Sequence, residues 1–149
     1  MPWPYDGRRI VSKDTTEVIM DTQTRANILS AMHGEAFAHA RYTLFAAAAR
    51  EAGDQKLAAT FQGIASVELN EHFAELAELA DLAGSDADNL SAAIQDESSE
   101  VEETYRNFAA QARSVGEDAV AARFDEIRGD ELEHLRTLEA ALERLEVPA

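Results

Sequence analysis

Apolar residues recur along most of the chain at steps of three and four. Phe61, Ile64 and Leu79 follow this spacing in the middle, and Phe124, Ile127, Leu138 and Leu142 follow it near the end. That period marks one face of an α-helix, not the alternation of a strand. The pattern breaks where stop and cap residues gather: "EAGD" at 51–54, "GSDADN" at 84–89 and "SVGED" at 114–118. Glycine closes a helix and a following Asp or Ser opens the next. Four helices are predicted: Thr22–Thr24 to about Glu51, Asp54 to about Ala83, about 88–114, and about 117–145, ending before Pro148. Long helices joined by short turns predict an all-α fold, an antiparallel four-helix bundle. The bundle is expected over 22–146, with a tail at 147–149. Residues 1–21 read as an irregular arm, lying on the body or on a neighbouring subunit. Its "MPWPYDGRRIVSK" carries two prolines, a glycine and two aromatics.

An internal repeat sharpens this picture. A shift of 63 residues lays Tyr42 on Tyr105, Phe45 on Phe108, Arg50 on Arg113 and Gly53 on Gly116. The same shift lays Phe61 on Phe124, Ile64 on Ile127, Glu68 on Glu131 and Leu79 on Leu142. The first two helices thus read as a duplicate of the last two. Two such hairpins are expected to face each other across a pseudo-two-fold axis, with Glu68 and Glu131 at equivalent places.

The formal charge is −16, from 29 acids and 13 bases among 149 residues. Nucleic acid needs a basic footprint and is excluded as a partner, as is an anionic membrane surface. Cysteine is absent, which removes disulfides, thiolate metal sites and thiol chemistry. No apolar run is long enough for a membrane span or a signal peptide, so the expectation is a soluble, cytoplasmic protein.

The acids do not all fall on the outer faces. Residues three apart share a helix face. Glu131 and His134 therefore point together and interrupt the stripe of Phe124, Ile127, Leu138 and Leu142. Glu68 and Glu71 interrupt the stripe on the second helix, and Glu97 and Glu100 pair on the third. Glu35 shares the face of Tyr42 on the first. Carboxylates turned into a core cannot persist as bare anions, because each costs several kcal/mol to desolvate. Bound cations resolve the conflict, and dinuclear helical bundles use this ligand pattern.

These residues resemble the erythrin domain of the rubrerythrin family, in the ferritin-like superfamily. The resemblance covers about residues 30–140 and includes "GEAFAHARYTLFAAAAREAG", similar to the family's first-helix motif. It implies a metal set of Glu35, Glu68, Glu97, Glu100, Glu131 and His134, with Glu68 and Glu131 as bridges. It implies that Tyr42 and Tyr105 hydrogen-bond the ligand carboxylates. One departure lies on the second helix. The family has Glu-x-x-His there, but three residues after Glu68 comes Glu71, and the histidine is His72. Either Glu71 is the ligand or a helix irregularity brings His72 in. The 63-residue register sets Glu71 opposite His134, so Glu71 is the expected ligand and His72 a neighbour. His33 and His39 are expected to be ordinary bundle residues.

The resemblance implies two iron ions, manganese being the alternative, and a peroxidase-type reaction with hydrogen peroxide. Dioxygen is the alternative oxidant, in a ferroxidase or a di-iron oxidase. Family members usually carry a Cys-rich rubredoxin domain. Without cysteine, the expectation is a separate electron-donor protein. A homodimer is the expected assembly.

Overall fold

The computed structural model describes residues 20–146. The tail at 147–149, and all but the last two residues of the expected arm, lie outside the described residues. Among the described residues there are four long helices and no strand, as the apolar spacing requires. Helix α1 is Thr22–Glu51. Helix α2 spans 55–79 and α3 spans 86–114, each interrupted by a π-helical turn. In α2 the π segment is Glu68–Phe73 and in α3 it is Glu100–Thr104. Helix α4 is Asp118–Glu146 and is α-helical throughout.

The ends follow local chemistry. Asp21 caps α1 by accepting the Thr24 N–H at 3.0 Å, and Asp54 caps α2 by accepting the Leu57 N–H at 2.9 Å. Ser85 and Asp88 form a reciprocal capping box at the start of α3. Gly53 and Gly116 sit at equivalent turns with φ of 83° and 82°, a conformation open to glycine. Helix α2 stops at Leu79, earlier than the expected Ala83, because Asp81 turns to a φ of 48°.

The chain divides into two compact units, Met1–Ala83 and Gly84–Ala149. In the first, α1 packs on α2; in the second, α3 packs on α4. Small side chains let the paired helices approach. Ala46, Ala49, Ala58 and Ala65 are buried in the first hairpin, and Ala109, Ala112 and Ala121 in the second. Each hairpin also carries an aromatic triad. The ring centroids of Tyr42, Phe45 and Phe61 are 5.4–6.2 Å apart, and those of Tyr105, Phe108 and Phe124 are 5.5–6.3 Å apart. Beside each triad an arginine joins the two helices: Arg50 donates to Gln62 and Arg113 to Asp125. The duplication read from sequence is thus a duplication of packing.

Candidate metal centre

Each hairpin gathers two carboxylates and one imidazole. In the first these are Glu35 from α1 and Glu68 and His72 from α2; in the second, Glu97 from α3 and Glu131 and His134 from α4. Within each group one ligand atom per residue lies within 4.8 Å of the others. The His72 Nδ1–H donates to Glu68 Oε2 at 2.8 Å and lies 3.8 Å from Glu35 Oε2. The His134 Nδ1–H donates to Glu131 Oε2 at 2.7 Å and lies 3.8 Å from Glu97 Oε1. Glu68 and Glu131 are 15% and 16% exposed, so the two groups match in shielding as well as in spacing.

His72 is four residues after Glu68, whereas His134 is three after Glu131. On a regular helix these steps point about 100° apart. The π turn at Glu68–Phe73 absorbs the extra residue and turns His72 into the place His134 holds. The sequence reading put Glu71 there and His72 beside it; in the structure His72 joins Glu68 and Glu35, and Glu71 is an exposed neighbour outside the group. The second π turn keeps a matching account. Glu35 precedes Tyr42 by seven residues, Glu97 precedes Tyr105 by eight, and the Glu100–Thr104 turn lies between the latter pair. Comparing these two pairs of spacings is the signal that could have found His72 from sequence.

The electrostatics of both groups favour positive charge. The Glu97 Oε2 atom is buried with no hydrogen-bond partner. A buried carboxylate oxygen without a partner calls for a water or an ion to complete it. Burial, then the neighbouring Glu131 carboxylate, pushes the Glu97 carboxyl above its ordinary range. Burial, then Glu131 and Asp96, does the same to Glu100. Glu100 stands outside the three-residue group but close enough to feel Glu131. The hydrogen bond that each imidazole donates, His72 to Glu68 and His134 to Glu131, raises both histidines above their ordinary value. In both hairpins the clustered carboxylates favour positive charge on the imidazole. Oxygen and imidazole donors of this kind suit iron or manganese.

The tyrosines stand close by in a different role from the one expected. Among the described residues, neither the Tyr42 nor the Tyr105 hydroxyl hydrogen-bonds a carboxylate of the groups; both rings build the aromatic triads. Burial, then Glu100, Glu131 and Glu97, raises the Tyr105 phenol, which keeps its proton. His39 bonds the Ala65 carbonyl at 2.8 Å and joins neither group.

The family model described as Rubrerythrin matches residues 26–142. The chain is similar to a rubrerythrin of Porphyromonas gingivalis, at 35% identity, with 86% of this chain and 70% of that protein covered.

Proposed function

Because the chain belongs to the rubrerythrin family, we propose that it is a non-haem di-iron peroxidase, drawing electrons from a separate donor, with each Glu-Glu-His group holding one iron. The fold class is that of the family, the all-α ferritin-like four-helix bundle. Family membership supports a di-iron oxidoreductase tied to oxidative stress. The observation that carries the finer reading is the pair of matched ligand groups, one of them with a buried carboxylate oxygen lacking a partner.

In this reading Glu35, Glu68, Glu97 and Glu131 supply negative charge, and His72 and His134 bind as neutral imidazoles. Two ferrous ions held by these residues would supply one electron each, the two that with two protons from solvent reduce hydrogen peroxide to two waters. Tyr105 holds a phenolic proton beside the second group, and Tyr42 holds the equivalent place in the first. Glu71 and Glu100 are outer carboxylates that adjust the charge.

The test is anaerobic loading followed by stopped-flow mixing. Two irons per chain are expected, oxidised faster by peroxide than by dioxygen. Faster oxidation by dioxygen with release of ferric iron supports the second reading, an iron-handling ferroxidase, which the net charge of −16 favours by attracting Fe(II). Among the described residues no helix is long and apolar enough to cross a membrane. The reading includes a cytoplasmic homodimer, for which light scattering should give twice the chain mass.

A further inference from the structure

The π turn of α3 leaves one backbone carbonyl without a donor from its own helix, and a side chain of α4 takes it. Inside the turn the Tyr105 N–H bonds the Glu100 carbonyl, five residues back. The π segment closes at Thr104. Ordinary bonding therefore resumes with Arg106, whose partner four residues back is Glu102. The Val101 carbonyl, four residues before Tyr105, is passed over. Val101 is buried, where a carbonyl without a donor is costly. The Arg128 Nε–H donates to this carbonyl at 2.7 Å.

We propose that Arg128 is a positioning residue for the second ligand group: it satisfies the carbonyl that the π turn passes over, and so holds the turn that brings Glu97 onto the face of Glu131 and His134. The geometry gives the reason. Without the turn, the extra residue between Glu97 and Tyr105 rotates Glu97 by about 100° relative to the rest of α3. The first hairpin is an internal control. Its α1 is α-helical throughout and passes over no carbonyl in this way. The position that corresponds to Arg128 under the 63-residue shift is Ala65, which has no side-chain donor. Between these corresponding helix pairs, the donor accompanies the turn of α3 and is missing where α1 has none.

The proposal rests on the metal reading only for its second readout. Arg128→Met keeps the apolar stem out to the position of Nε and removes the donor. Arg128→Gln restores an N–H at the position of Nε without the charge. Amide hydrogen exchange on the full chain without metal is the first measurement. Arg128→Met should speed exchange over 100–106 by about tenfold, leaving the π turn of α2 unchanged, and Arg128→Gln should largely reverse this. Anaerobic titration with Co(II) is the second. The Met variant should weaken one of two sites by roughly tenfold to a hundredfold and spare the other, in the range typical of groups that orient ligands.

Deleting Glu102 adds a stricter check. It removes the extra residue, so the Val101 carbonyl regains the Arg106 N–H. In that background Arg128→Met should no longer alter exchange. Unchanged exchange over 100–106 in Arg128→Met overturns the proposal. So does exchange that rises equally throughout the chain, failure of Gln to restore protection, or faster local exchange with both Co(II) sites intact. Absence of Co(II) binding in the unaltered protein refutes the metal reading instead, while the exchange comparison still decides whether Arg128 holds the turn.

Discussion

His72 and Glu71 are adjacent in sequence, yet the π turn gives them different fates. His72 lies with Glu68 and Glu35, and Glu71 is exposed outside that group while adding to the field that raises His72. His72→Ala is therefore expected to lower iron content from two per chain to one, whereas Glu71→Ala keeps two. Metal analysis of the two variants decides; loss of an ion in Glu71→Ala alone would reverse the assignment. The same groups set a pH dependence. In the metal-free protein the His72 and His134 imidazoles are raised above their ordinary 6.5. Their stabilisation is full below 6.5 and is lost as pH rises through the raised native values. Glu97 and Glu100 are raised above 4.5, so the native state is increasingly penalised as pH climbs from 4.5 through their native values. Both effects slope the same way. Calorimetry should find the metal-free protein melting higher at pH 6 than at pH 8. With iron bound the slope should reverse, because protons compete for the same atoms.

At the scale of the helix, a π turn behaves as one extra residue placed without disturbing either end. Deleting Asn70 should convert Glu-x-x-x-His into Glu-x-x-His and let α2 run as a plain α-helix, like α4. Two metals per chain are then expected to remain, with far-ultraviolet dichroism unchanged. Loss of the first group's metal would show that the π turn does more than set phase. A second expectation concerns the triads. Phe61 and Phe124 hold equivalent, partly exposed places, so Phe61→Ala and Phe124→Ala should each destabilise by about 2 kcal/mol, below the range for fully buried rings. Chemical denaturation compares them.

These elements also show what could be read in advance. The four helices and their turns were legible because apolar spacing, Gly53, Gly116 and the Asp and Ser caps all act locally. The duplication was legible because the aromatic triads require the same residues in both copies. The partner of Glu68 was not, because a single 63-residue register assumes no insertion between the copies. His72 and His134, like Glu35 and Glu97, are related by 62. Periodicity averaged over a helix hides a step of one residue. The tyrosine rings pack against Phe61 and Phe124, and a ring near a carboxylate need not direct its oxygen there.

For the molecule as a whole, the surplus of acids makes cation binding a stability question. The chain carries −16, and part of that charge is concentrated in the two ligand groups. Binding confined to the native state adds RT ln(1 + [L]/Kd), about 2.7 kcal/mol at a hundredfold excess over Kd. Anaerobic melts with Fe(II) should therefore end several degrees above melts with a chelator. Equal midpoints and no retained metal would leave the matched groups without the role proposed for them.

The placement of the two π turns also orders events in time. Each occurs in one copy of the repeat and not in the other: α2 has a turn that α4 lacks, and α3 has one that α1 lacks. A turn present before the chain was doubled would have been inherited by both copies. Each was therefore gained, or erased from one copy, after the doubling. The groups of two glutamates and one histidine are present in both copies. The two halves have since drifted by one residue apiece, on different helices, while the constellation of Glu, Glu and His stayed in place.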